Sequence, residues 1–389
     1  MSEALQSVPV AHDRPRAAVA RLTLTAFRCY GWARLEVDAR PQVLTGPNGA
    51  GKTNLLEALS FLAPGRGLRG VRLAEVDQHG GDAAWAVAAT IDGPSGPIEI
   101  GTGRDPQAAN GGGRRVVKVN GATAGQAALS QALAVIWVTP DMDRLFTDGA
   151  GARRRFLDRL IYGYDAAHAG RINAYEQAMR GRARLLRDGR RDDAWFGALE
   201  AMMAEQGVAI AAARTENTAR LDAAVRLGIG PFPRAAIAVT GTVEGWLAEM
   251  PALAAEDRLR ALLRDSRGRD AAAGGTADGP HRSDLDVRHI DRDLPAAQCS
   301  TGEQKALLLS AVLAHARLLT AARDSAPILL LDEVAAHLDA DRRAALFDEI
   351  CALGAQAWLT GTDAGTFEGF GARASYHRVE NATIRPVAD

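Results

Sequence analysis

Residues Gly46 to Asn54 read GPNGAGKTN, which satisfies G-x-x-x-x-G-K-[ST] without a mismatch between an apolar run (Val43, Leu44) and an apolar helix start (Leu55, Leu56, Leu59). No other stretch narrows the fold as far. A strand that turns through glycines into a helix aims successive backbone N–H groups, and the positive end of the helix dipole, at a single point where phosphate can sit. Lys52 reaches the outer phosphates and the Thr53 hydroxyl is set for Mg²⁺, with Asn48, Gly49, Ala50, Gly51 and Asn54 completing the cradle. The expected ligand is a nucleoside triphosphate.

A second motif far downstream supports this reading. ILLLDEVAAHLD, Ile328 to Asp339, begins with an unbroken aliphatic run that predicts a strand buried on both faces of a parallel sheet. Its last residues reach the mouth of the phosphate site, so Asp332 is the expected Mg²⁺ partner beside Thr53. Glu333 is placed to polarise the water that attacks the γ-phosphate. The catalytic set is therefore Lys52, Asp332 and Glu333.

CSTGEQKALLLSAVLAHARLL, from Cys299, opens a helix with hydroxylated and small residues (Ser300, Thr301, Gly302), and Leu307, Leu308, Val312 and Leu319 recur at helical spacing. Such a helix start is an anion site. S-T-G-E-Q resembles the signature motif of ABC-type ATPases, and Asp339 stands where their D-loop aspartate follows the second carboxylate motif. In that superfamily the signature helix of one subunit completes the nucleotide site of the other. The resemblance implies that Ser300, Thr301, Gly302 and Gln304 serve the opposite subunit's γ-phosphate, that Asp339 crosses the interface, and that the chain forms an ATP-dependent homodimer.

The 389 residues suffice for one large core with an insertion, or for two domains. Cys29, Cys299 and Cys351 are too widely spaced for a disulfide framework or a CxxC metal site, which points to a reducing compartment. No apolar run has the length and freedom from charge of a membrane span, since the signature helix carries Lys305, His315 and Arg317; the N-terminal region lacks an apolar signal core. The expected setting is cytoplasmic, without a membrane partner. A net charge of −1 exerts no global pull on nucleic acid, so any such contact must come from local arginine clusters. These are Arg66, Arg69 and Arg72; Arg153 to Arg155; and Arg180, Arg182, Arg184, Arg187, Arg190 and Arg191. Arg66, Arg69, Arg153, Arg154, Arg184 and Arg187 are the candidate DNA contacts.

Along the chain, residues 1–18 are polar and proline-punctuated and predict a mobile tail. Residues 19–148, with strands at Leu22 to Phe27 and Leu35 to Asp38 and a hairpin around GRDPQAANGGGRR, read as the first part of an ATPase head. Residues 149–275 read as an inserted helical arm. In it Ile172, Tyr175 and Met179 line one face, and Trp195, Leu199, Met202, Met203 and Gln206 line a second helix. Helices of about 24 residues reach only about 36 Å, far short of a long coiled coil. DSRGRDAAAGGTADGP reads as a Gly/Ala-rich linker returning the chain to the head, and residues 276–389 read as its second part. The fold class is α/β, a P-loop ABC-type ATPase head with a β-rich N-terminal layer and the inserted arm.

FRCYGWARLEV, VTPDMDRLFTDGAGARRRFLDRLI and TADGPHRSDL, together with the motifs above, resemble the RecF family of bacterial DNA replication and repair proteins, from Leu22 onward. The resemblance implies an ABC/SMC-like, slow, DNA-stimulated ATPase that dimerises on ATP and Mg²⁺ and binds double-stranded DNA next to single-stranded gaps. It further implies that RecO and RecR are partners in loading RecA. Two features depart from the superfamily pattern. Thr360, Gly361, Thr362 and Asp363 stand where a transporter ATPase has its switch histidine, and no glutamine accompanies Pro140, while Gln78 comes early for that role. The rival readings are a transporter subunit, a chromosome-organising SMC head, and a DNA clamp that binds ATP without turnover.

Overall fold

The computed structural model describes residues 17–387 except 79, 82, 94, 95, 106, 108–112 and 191. Most of the expected tail, the tip of the expected hairpin and Arg191 lie outside the described residues.

The aliphatic runs assemble into one six-stranded sheet. In spatial order it holds Thr383–Pro386, Ser375–Glu380, Gln42–Thr45, Ala357–Gly361, Ile328–Leu331 and Val135–Val138, all parallel except the first. The last four strands in that order are buried along their whole length, as a parallel sheet covered on both faces requires. Period-2 alternation sends their side chains into two separate cores. Val43, Ile136, Val138, Leu329, Leu331 and Leu359 pack with the signature helix Thr301–Arg323. Leu44, Val135, Trp137, Ile328, Leu330 and Trp358 pack with the helix Lys52–Ser60 and with an antiparallel six-stranded sheet that supplies Leu22, Leu24, Val87 and Ile91. The signature helix is long and apolar enough to cross a membrane, but 78% of its apolar window is buried, so it is a core helix of the head.

The arm has its own core, in which Tyr175 of helix His168–Arg187 meets Met203, Val208 and Ala211 of helix Asp193–Arg226, with Leu259 and Leu263 of helix Ala252–Asp265. Helix Ala150–Ile161, by contrast, packs in the head core through Phe156, Leu157 and Leu160. The second arm helix is longer than expected: its 34 residues extend about 51 Å. Its lower part, at Leu221 and Val225, belongs to the head core, which is why it continues past the arm. Its inner face keeps the expected Leu199 and Met203, loses Trp195 and Met202, which are exposed, and gains Phe196 and Ala204.

One arginine explains two further departures. Arg182 is wholly buried and donates to Glu200, Asp270, Thr276, Ser266 and the Leu263 carbonyl, so it belongs to the interior and not to the exposed basic cluster. Asp270, held by Arg182, anchors Arg267–Ala273 as a helix where a linker was expected.

A small antiparallel sheet, Ala235–Thr240, Asp284–His289 and Leu294–Pro295, joins the arm to the signature helix and was not anticipated. GPHRSDL feeds its middle strand and ties four elements together. His281 accepts from the Tyr175 hydroxyl at 2.7 Å and donates to the Thr276 carbonyl, Pro280 accepts from Arg214, Ser283 donates to Glu244, and Asp284 pairs with Arg153. The motif is the root of the arm.

Candidate nucleotide site

Strand Gln42–Thr45 delivers the phosphate loop at the carboxyl edge of the parallel sheet, and Lys52 begins the helix that follows. Glycine is required by shape at both ends of the loop. At Gly46 (φ +151°) a Cβ would stand 2.1 Å from the Val379 carbonyl oxygen, and at Gly51 (φ +112°) it would stand 2.8 Å from the Tyr30 hydroxyl. Among the described residues the helix has no side-chain cap, and its first turn carries no acidic residue, which leaves its free N–H groups to an anion. Lys52 Nζ bends back to the Gly46 and Pro47 carbonyls at 2.7 and 2.9 Å. Burial pulls the Lys52 ammonium below its ordinary pKa, against the attraction of Glu333 and Asp332.

The neighbouring strand Ile328–Leu331 brings the carboxylates to the same edge. Thr53 Oγ1 donates to Asp332 at 3.0 Å, joining residues 279 apart in sequence. Thr360 Oγ1, at the end of the next strand, donates to the same carboxylate at 2.7 Å and accepts the Glu333 N–H at 2.9 Å. Burial pushes the Asp332 carboxyl above its ordinary range, and the two threonine hydroxyls oppose that rise. Glu333 has φ +53°, the left-handed region that costs a non-glycine residue about 1 kcal/mol. Thr360, at a position where the sequence offered only a missing histidine, thus holds the Asp332 carboxylate and the Glu333 backbone. Its hydroxyl sits at the end of the buried run AWLT, which is the one sequence signal that marks it.

Two elements that sequence reasoning left out close the site. The hairpin tip at Phe27 to Tyr30 lies on the loop: Tyr30 donates to the Gly51 carbonyl at 3.1 Å, and Asn54 donates to Cys29 Sγ at 3.2 Å. Gln78 packs against Gly31, one residue from Tyr30, so the chain's early glutamine stands beside this tip. Glu57, wholly buried behind the loop, is gripped by Arg28 and Arg69, and Arg69 also donates to Asn54 at 2.9 Å. Arg69 therefore belongs to the wall of the nucleotide site.

The signature residues divide. Ser300, Thr301 and Gly302 are exposed, whereas Gln304 is buried and donates to the Cys299 carbonyl at 2.8 Å. In the single chain Gln304 is an internal brace, because the helical turn that exposes Thr301 and Gly302 points residue 304 inward. Asp339 is more than half exposed and caps the helix Ala340–Leu353 through the Arg342 N–H. Of the remaining arginine candidates, Arg66, Arg184 and Arg187 are exposed. Arg153 and Arg154 are not: Arg153 clamps Asp284 at 2.7 and 2.9 Å together with three backbone carbonyls, and Arg154 donates to the Ser283 carbonyl.

A buried parallel sheet that carries a phosphate loop, an adjoining carboxylate pair and a signature helix defines an ATPase head of the ABC type. Residues 18–384 match the family model for the RecF/RecN/SMC N terminal domain. The chain is 52% identical over 376 residues to the DNA replication and repair protein RecF of Mesorhizobium japonicum, covering 95% of this chain and 98% of that one. It is 48% identical to the RecF of Rhizobium meliloti, over 94% and 97% of the two chains. The chain belongs to the RecF family of DNA replication and repair proteins. Its fold is that of the solved recombination mediator protein RecF-ATPrS in the RecFOR pathway, at TM-score 0.83 and 21% identity over 97% of this chain and 100% of that chain. It is more distantly similar to an Smc head domain from Pyrococcus furiosus, at TM-score 0.51 and 16% identity over 96% of both chains.

Proposed function

We propose that this protein binds ATP with Mg²⁺ at the phosphate loop, pairs with a second copy across two nucleotides, and hydrolyses ATP slowly while bound to duplex DNA beside single-stranded gaps. In this reading it acts with RecO and RecR in the cytoplasm to assist RecA loading. The observation that carries it is the hydrogen-bonded line from Thr53 through Asp332 and Thr360 to Glu333 at the mouth of an uncapped phosphate-loop helix. Relatives named RecF, and a solved RecF-ATP structure with the same fold, support the nucleotide and the pathway.

The donor set fits Mg²⁺, since Thr53 and Asp332 offer a hydroxyl and a carboxylate, both hard oxygen ligands, next to the expected phosphates. When bound there, the ion neutralises charge on the phosphate oxygens. The protein's own groups do the rest. Lys52 exchanges the Gly46 and Pro47 carbonyls for phosphate oxygens, and the orphan N–H groups of helix Lys52–Ser60 bind them from behind. Glu333, held out by its left-handed backbone, orients the attacking water and accepts its proton. On the second copy, Ser300, Thr301 and Gly302 supply the exposed donors that complete the site, and Asp339 lies at the junction. DNA binding falls to the exposed Arg66, Arg184 and Arg187; it is salt-sensitive and blind to sequence, because arginines on phosphates carry no base information.

Phosphate release with and without gapped duplex DNA, run beside Glu333→Gln, tests the reading. The expected result is slow turnover stimulated by DNA, abolished in the variant while an ATP-dependent dimer accumulates on size-exclusion chromatography. Zero turnover in the unmodified protein would leave an ATP-gated clamp in its place, and a monomeric variant at saturating ATP would remove the sandwich.

A further inference from the structure

The start of the signature helix is closed by its own side chain. Glu303 Oε2 accepts both the Ser300 N–H and the Ser300 hydroxyl at 2.9 Å, while Glu303 Oε1 accepts from Arg292 at 2.6 Å. Ser300 Oγ in turn accepts the Glu303 N–H at 3.4 Å, completing a capping box. The two donors of Ser300 that an incoming phosphate needs are therefore both directed at a carboxylate. That carboxylate is only 15% exposed, at the spot where a second copy's nucleotide would bring more negative charge.

Arg292 reaches this carboxylate from a different element. It sits in the turn between strands Asp284–His289 and Leu294–Pro295, the sheet that joins the arm to the signature helix. The neighbouring charges of that turn are already occupied, Asp291 with Arg234 and Asp293 with Arg288. Arg292 and Glu303 form a pair across the gap between turn and helix.

We infer that Glu303 and Arg292 form a latch that sets the ATP threshold for dimerisation: the carboxylate competes with the partner's γ-phosphate for the Ser300 donors, and Arg292 draws it aside and cancels its charge when the phosphate docks. This rests on the reading that Ser300 completes the nucleotide site of a second copy. Both are positioning residues, acting through Ser300. The arrangement also gives the arm a route to the nucleotide, since a shift of the connecting sheet moves Arg292.

Glu303→Gln is the informative variant, because glutamine also fills the last position of a capping box and so preserves the helix start while removing the charge. Arg292→Gln tests the opposite arm of the latch and lies on an exposed turn, 59% accessible, where substitution leaves the core intact. Dimerisation is measured by analytical ultracentrifugation against ATP concentration, with a fluorescent ATP analogue reporting binding to the monomer. Glu303→Gln lowers the half-dimerisation ATP concentration by about tenfold and weakens its salt dependence; Arg292→Gln raises it by a comparable factor. Monomer affinity for the analogue is unchanged in both. If the unmodified protein dimerises with ATP and both variants share its midpoint, or both move it in one direction, the latch is refuted while the sandwich stands. If the unmodified protein stays monomeric with ATP, the underlying reading of Ser300 fails first.

Discussion

Thr360→Val is the sharpest test of how the site is held, since valine keeps the shape of threonine and deletes one hydroxyl. Two bonds are lost together: a 2.7 Å donation to the buried Asp332 carboxylate and a 2.9 Å acceptance of the Glu333 N–H. A hydrogen bond to a charged group contributes about 1.5–3 kcal/mol, and an amide bond about 1 kcal/mol. Asp332 keeps its bond to Thr53 at 3.0 Å, which holds the loss near the low end of that range. The Glu333 backbone, at φ +53°, loses the contact that holds it in the left-handed region, so its carboxylate swings from its working position. With about 1.4–2.7 kcal/mol removed from transition-state alignment, turnover at saturating ATP falls about 10–100-fold. Affinity for nucleotide changes little, because the phosphate loop is untouched. Steady-state phosphate release together with equilibrium binding of a fluorescent ATP analogue reads both quantities, and Thr360→Ser restores turnover. Wild-type turnover in Thr360→Val would show that the hydroxyl does not organise the carboxylates.

Two further outcomes concern the framework. Arg182→Met strands Asp270 and part of the Glu200 hydrogen bonding in the arm's interior, at a cost of about 3–5 kcal/mol; hydrogen exchange should show helix Arg267–Ala273 opening first, and protection equal to wild type would overturn that account. Burial drives the pKa of His315 from 6.5 down to about 3. Between those values the unfolded chain binds the extra proton, so this contribution is complete above about pH 6.5 and is lost as the pH falls toward 3. His315→Leu should lower the slope of unfolding free energy between pH 6 and pH 4 by up to about 1.4 kcal/mol per pH unit, followed by urea titration; an unaltered slope would assign the acid sensitivity elsewhere.

The parts of the site that depend on backbone shape or on a contiguous buried strand were legible in the sequence. A phosphate loop needs glycines at fixed spacing because no other residue fits beside Val379 and Tyr30, so Gly46 to Thr53 announce themselves. An unbroken ILLL ending in Asp332 and Glu333 reads as the inside of a covered parallel sheet, and that is what it forms. The helical arm was legible from periodicity, and so was part of its inner face (Tyr175, Met203), but Trp195 and Met202 are apolar and yet face solvent.

What the chain alone determined is therefore local: where backbone must turn, which runs must be buried, and which carboxylates end a strand. Only the folded molecule decided the fate of the charged residues. An arginine reads the same in sequence whether it is Arg187 in water, Arg153 clamped on Asp284 or Arg182 inside the arm, since burial and partner are set by segments tens to more than a hundred residues away. The same holds for Thr360, whose role exists because two parallel strands place its hydroxyl 2.7 Å from Asp332. Hydrogen bonding and ion pairing act over a few ångströms, and that proximity is created by tertiary packing, not by order along the chain.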